Sequence, residues 1–278
     1  MTPTSYHPNV HDGALNILTL VIADLIPRRR RKYPLRTIVA MILHRVDNGC
    51  KWRALDRVEL PWHVAYDYFR RWARTRVIER ANAIIVNVLR FSEAMARTSV
   101  GAPAPAPSPG PPRLGVVDSR SIRAPGWGRH EATGIDGHKR VNGVKSHALV
   151  DTRGHLLARA CSPANGHDGP YLATVVARAR WARFDAVTRV LGDGAYRHFG
   201  GEAAALGCEL EITTVSEAKR LKASGFVPIP RRWVIERTFA QMRYSRAFNT
   251  CRDRLARHFE ATVMWAHVKL ALRQIEKL

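Results

Sequence analysis

Apolar residues in the first hundred positions return every three or four residues, the spacing of helices that bury one face. Leu35, Ile38, Val39, Ile42, Leu43 and Val46 mark one helix, and Gly49 is placed to end it. Pro61 opens a second, in which Trp62, Ala65, Tyr66, Phe69 and Trp72 keep the spacing while Arg70, Arg71, Arg74 and Arg76 decorate the remaining surface. A third runs from about Val77 to Leu89. The run from Gly101 to Pro112 breaks the pattern, because its prolines fix φ and remove backbone donors, and it predicts an extended spacer. Beyond it the pattern changes to strands first and helices later. Leu114 to Val117 is a short apolar run ending at Asp118, and Val144 to Val150 pairs with His155 to Cys161 across the turn Asp151 to Gly154. There follow a helix of about Pro170 to Arg183, a strand Val187 to Leu191 ending at Asp193, and a helix closed by Gly207. A strand Glu209 to Thr213 and two helices, about Arg231 to Arg246 and Arg254 to Glu276, complete the series. The predicted organisation is a small all-α domain over residues 1–99, a Pro/Ala-rich linker over 100–113, and an α/β domain over 114–278 in which an antiparallel hairpin feeds a sheet that later receives parallel strands.

Charge narrows the choice of partner. Lys and Arg number 45 against 23 Asp and Glu, a formal charge of +22 that greatly exceeds what solubility needs and points to a polyanion. Anionic membrane and nucleic acid both satisfy that condition. The longest apolar stretch, Ala14 to Ile26, is short and contains Asn16 and Asp24, and no signal peptide pattern is visible, so nucleic acid is favoured and a cytoplasmic, nucleoid-associated location is expected. The four cysteines are scattered, without C-x-x-C pairs or histidines at zinc-ligand spacing, and fit a reducing compartment. Three short helices with a basic, aromatic middle member suit a helix-turn-helix-like DNA reader; a helical bundle with solvated arginines gives the same pattern. The block Arg28 to Lys32 reads as a phosphate-contacting arm or a solvated charge run.

Two carboxylates stand where strands are expected to end, Asp118 and Asp193, and on neighbouring strands they would leave the sheet at one edge. Glu236 arrives on a helix with Arg232 at i−4 and Arg243 at i+7, near one helical face. Phosphoryl transfer on DNA asks for such a set, since attacking and leaving oxygens are both stabilised by two cations roughly 4 Å apart. Mg²⁺ takes oxygen ligands and keeps several waters, so a few carboxylates suffice. Each residue also has a plainer reading: Asp commonly terminates strands in turns, and Glu236 would serve as a solvent-facing helical ion-pair residue.

Longer stretches of sequence bear on that choice. Val117 to Ile122, Gly143 to Gly154 and Gly192 to Tyr196 resemble the first-aspartate strand, the following hairpin and the second-aspartate segment of insertion-sequence DDE transposases of the insertion-sequence-five group. Arg231 to Phe239 resembles the family signature of Tyr, two residues, Arg, three residues, Glu, six residues, Lys or Arg, with Arg232, Glu236 and Arg243 at the required spacings and Ile229 in place of the Tyr. Asp47 to Leu55 and Trp62 to Trp72 resemble the family's helical DNA-binding domain. The resemblance implies a ribonuclease H-like catalytic domain preceded by a helix-turn-helix-like domain, and two Mg²⁺ ions, with Mn²⁺ able to substitute, held by Asp118, Asp193 and Glu236. It implies cleavage at terminal inverted repeats of an insertion sequence and joining of the freed 3′-OH to target DNA, by a homodimer or larger synaptic assembly. A ribonuclease H-like DNA endonuclease without strand transfer and an inactive DNA-binding repressor of the element are the alternatives. Arg232, Arg243, Lys145, Arg237, Arg53, Tyr66, Arg70 and Arg71 are the expected DNA contacts. His147 is expected to be buried, Trp233 to pack in the core, and Trp127 to be available for stacking on an unpaired base.

Overall fold

A computed structural model describes residues 10–55, 60–99, 110–125, 132–213 and 232–277. Most of the proline-rich spacer, together with Trp127 and Ile229, lies outside these residues. The chain divides into two compact units, Met1–Gly110 with Met242–Leu278, and Pro111–Gln241. Among the described residues no helix is long and apolar enough to cross a membrane.

The helical unit contains α1 (Asp12–Leu25), α2 (Leu35–Asn48), α3 (Trp62–Thr75), α4 (Val77–Ser99) and a last helix, α8 (Ala256–Ile275). Ala14, Leu15, Leu18 and Ile22 form the buried stripe of α1, while Asn16 and Asp24, which interrupt its apolar run, lie on the exposed side. Gly49 ends α2 as expected: its φ of +63° is left-handed, and its N–H closes the helix on the Arg45 carbonyl at 2.8 Å. The expected grouping of residues 242–278 with the α/β domain is corrected, since this stretch belongs with the N-terminal helices. Helix α8 is buried on nearly all sides, from His258 to Leu272, so it has no one-sided stripe to announce where it packs. Polar groups inside the unit identify its neighbours. Arg45 of α2 reaches Asp253 at 3.1 Å and Thr262 at 3.1 Å, Lys269 pairs with Asp47, and His267 Nδ1 lies 2.7 Å from Asn82 Oδ1 of α4.

The second unit is built on a six-stranded sheet of β1 (Leu114–Arg123), β2 (Gly134–Asp136), β3 (Val141–Asp151), β4 (Leu156–Pro163), β5 (Arg189–Gly192) and β6 (Glu209–Ile212). β1, β3 and β4 are antiparallel neighbours, β2 pairs with the start of β3, and β5 and β6 add parallel to β1. Among the described residues, helices α5 (Tyr171–Trp181), α6 (Gly200–Ala205) and α7 (Trp233–Met242) also belong to the unit. Three antiparallel strands followed by two parallel ones make the sheet ribonuclease H-like. β3 is buried from Gly143 to Asp151, because it is flanked on both edges and covered by α5 through Leu172, Val175, Val176 and Ala179. The alternation expected of a half-exposed strand is absent from it.

Candidate active site

β1 does not stop at Asp118 as the apolar run suggests. It pairs with β3 over its length, from Gly115 opposite Asp151 to Arg123 opposite Gly143, so Asp118 lies within the strand, opposite Ala148. The polar stretch Ser119 to Ser121 is held in strand geometry by backbone pairing, which side-chain polarity does not report. The parallel partner β5 does end where expected. Val116 is paired with Leu191, and two residues further along each strand stand Asp118 and Asp193, which places both acids at the same level of the sheet. Asp193 leaves β5 at once and caps the next turn, its Oδ1 accepting the Ala195 N–H at 2.9 Å.

Glu236 and Arg232 are brought to this edge by α7, whose docking is set by the β3–β4 turn. The Thr238 hydroxyl donates to the Gly154 carbonyl at 2.8 Å, and Arg237 donates to the Arg153 carbonyl at 2.7 Å. Gly154 has a φ of +94°, and a Cβ there would lie 2.7 Å from the Thr238 hydroxyl, so the close approach requires glycine.

The three acids converge on one cation. Arg232 Nη2 lies 3.7 Å from Asp118 Oδ2, 3.8 Å from Asp193 Oδ2 and 3.9 Å from Glu236 Oε1. All three separations are longer than hydrogen bonds, so the one guanidinium offsets part of the cluster's charge without closing on any member. Arg232 Nε is buried and has no hydrogen-bond partner among the described residues. Burial raises the Asp118 carboxyl to about 6; the Ser119 N–H, at 2.7 Å, and Arg232 hold it down, while Asp193 and Asp168 push it further up. The Tyr196 hydroxyl is also buried without a partner among the described residues, and burial together with Asp168, Asp118 and Asp193 raises it well above the ordinary phenol value.

Asp168 was not legible as part of this region. From the turn before α5 it accepts the Ser119 hydroxyl at 2.8 Å, pairs with Lys145 at 3.0 Å and lies 3.8 Å from His147 Nδ1. Only the long-range strand pairing brings these groups together; Tyr196, by contrast, stands inside the visible motif Gly192 to Tyr196. Lys145, expected to face DNA, is corrected to a buried residue whose ammonium donates to the Gly166 carbonyl at 2.7 Å and pairs with Asp168. His147 is fully buried as expected, stacked on Tyr171 with centroids 4.2 Å apart, and burial lowers it to about 4.

The other expected contacts fall in several places. Arg237 is drawn into docking α7, with its guanidinium 4.6 Å from the Trp233 ring; Trp233, expected in the core, is 44% exposed because it lies on the outer side of that helix. Arg243 is exposed just past the end of α7, and Ser245 N–H turns back to the Met242 carbonyl at 3.0 Å. The i+7 alignment with Glu236 therefore does not hold, because no helix continues through Arg243. Arg53, Arg70 and Arg71 are exposed on the helical unit, and Tyr66 is half-buried.

Comparison with known families adds to this geometry. The family model of the transposase DDE domain matches residues 109–272, more than half of the chain. The chain belongs to the DDE transposase family. A second model, for transposases of the IS4/5 family, matches residues 20–82, within the helical unit. No curated protein matches the chain. Membership of the transposase family implies DNA binding and enzymatic DNA processing. Among the described residues no group of three or more His, Cys, Asp or Glu is arranged to hold a single metal ion. In this transposase the three acids face the Arg232 guanidinium.

Proposed function

We propose that this transposase binds the terminal inverted repeats of its element and carries out metal-dependent strand cleavage and joining at Asp118, Asp193 and Glu236. The observation that carries the reading is the convergence of these three carboxylates on the single Arg232 guanidinium. A cation is already needed at that point, and the donors are all hard oxygens. Such a set suits Mg²⁺ or Mn²⁺, which fill the rest of their coordination with water and substrate phosphate. When bound, two such ions supply Lewis acidity to the attacking water or 3′-OH and offset charge on the departing oxygen.

The chain's own residues then have separable tasks. Asp118 must be ionised to act as a ligand, and the Ser119 N–H and the Arg232 guanidinium favour that form. Asp168, Lys145 and Ser119 tie down the strand that carries Asp118. Arg232, which closes on none of the three acids, would hold a DNA phosphate by charge-assisted hydrogen bonds. Handling two element ends together calls for a homodimer or larger synaptic assembly on chromosomal DNA.

The test is incubation of the protein with Mg²⁺, a plasmid and DNA carrying the ends of the element. Joined products are expected, and Asp193→Asn should abolish cleavage while gel-shift binding to the ends persists. Nicked plasmid without joined product would reduce the protein to a nuclease. End binding without cleavage in either Mg²⁺ or Mn²⁺ would make it a repressor.

A further inference from the structure

The helical unit contains a cavity of about 520 Å³ that the proposed catalytic chemistry does not use. It is formed where the end of α2, the short turn Trp52–Ala54, α3 and the approach to α8 meet. Six cationic side chains line it: Arg45, Lys51, Arg70, Arg252, Arg254 and Arg257. The one acid in the lining, Asp253, is already satisfied by Arg45 at 3.1 Å and the Thr262 hydroxyl at 2.8 Å. That pair is internally neutral, whereas Lys51, Arg254 and Arg257 are exposed and Arg252 is held in place by the Gly49 carbonyl at 3.1 Å. Arg70 is paired with Asp67 at 3.6 Å, which leaves the charge of Lys51, Arg252, Arg254 and Arg257 for a ligand.

Cations alone would accept any anion; the aromatic part of the lining is more selective. Trp52 and Tyr66 lie 5.2 Å apart, centroid to centroid, and His258 lies 6.4 Å from Tyr66. Arg45 already stands over Trp52 at 5.1 Å and Arg70 over Tyr66 at 5.5 Å; a wall of alternating rings and guanidinium groups suits a ligand with a flat π system next to a phosphate, and base stacking on such a wall tolerates any sequence. The volume falls within the roughly 300–1,000 Å³ of pockets that enclose small organic ligands, more than a phosphate ion requires. A paired base cannot offer its face to a pocket, because its neighbours in the stack cover it.

We propose that this cavity binds one unpaired nucleotide of a DNA strand, with the base beside Trp52 and Tyr66 and the phosphate among Lys51, Arg252, Arg254 and Arg257. The inference rests on the DNA binding of the family and is independent of the three acids. Its probes are a duplex of about 20 base pairs, the same duplex with one unpaired 2-aminopurine, and the same duplex with one unpaired abasic site. On the full-length protein the 2-aminopurine duplex should bind about tenfold tighter than the paired duplex and lose fluorescence on binding, and the abasic duplex should lose the advantage. Trp52→Ala and, as a surface change that spares the core, Arg257→Ser should each bring the preference within about twofold of unity while paired-duplex binding persists. Equal binding of all three duplexes, or a preference that survives both substitutions, overturns the proposal. Displacement of the 2-aminopurine duplex by free dAMP at similar concentration would make a free nucleotide the ligand and overturn the strand assignment. A protein that prefers the unpaired base yet never cleaves loses the catalytic reading and keeps this one; cleavage without the preference does the reverse.

Discussion

In the helical unit buried charges are matched: Lys269 with Asp47, and Arg45 with Asp253 and Thr262. In the sheet unit Asp118, Asp193 and Glu236 share a single guanidinium, and the buried hydroxyl of Tyr196 nearby has no partner among the described residues. Both arrangements bear desolvation costs, but only the first recovers them within the protein. Matched pairs fix which helix packs on which; an unmatched cluster holds capacity for something that arrives from outside. Chemical similarity of the side chains therefore conceals a division between cohesion and function.

The sharpest way to break this comparison is to remove one partner from a matched pair. Asp47→Ala leaves the Lys269 ammonium buried and unpaired and should cost about 3–5 kcal/mol, read as an earlier denaturant transition of the helical unit. An unchanged midpoint would mean that the pair is not a structural tie. In the sheet unit the corresponding change should act in the opposite direction. Asp118 is raised by burial from its ordinary range to about 6, so in the metal-free protein its proton is bound more tightly when folded than when unfolded. Ionising it opposes folding: the loss grows as pH rises from about 4 to about 6, stays constant above, and is on the order of 2–3 kcal/mol. Asp118→Asn should therefore stabilise the metal-free protein above pH 6 and little below pH 4, while eliminating DNA cleavage. Thermal melts of the two proteins from pH 4 to 8 without metal measure the difference, and parallel curves would refute it. The smallest effect concerns the docking of α7. Gly154→Ala strains a left-handed turn and crowds the Thr238 hydroxyl, and should cost about 1 kcal/mol or more, with reduced metal-dependent stabilisation because Glu236 is less well placed. Unaltered melting with and without Mg²⁺ would show that the turn does not set the helix.

The contrast also explains what could be read beforehand. Asp193 was visible because a short apolar strand and a tight turn are local events, and the helical pattern of α2 and α3 follows from spacing within one segment. The continuation of β1 past Asp118 was not visible, since Ser119 to Ser121 owe their strand geometry to pairing with Lys145 to His147. Lys145 looks exposed in the sequence for a related reason. Its partner Asp168 lies in a turn beyond another strand, and nothing in the neighbourhood of Lys145 marks it as buried. The family motifs single out the three acids, but not their approach to one guanidinium, because the spacing of Arg232 and Glu236 specifies one turn of helix and says nothing about the strands it faces.

The placement of α8 has a consequence for biosynthesis. The helical unit draws its interior from both sides of the sheet in the sequence, with Ala256–Ile275 supplying groups that satisfy Arg45, Asp47 and Asn82. Those groups leave the ribosome only after the whole sheet has been translated. A nascent chain thus carries its basic helices, throughout synthesis of the sheet, without the helix that completes their core, and this unit closes only after the sheet has been made.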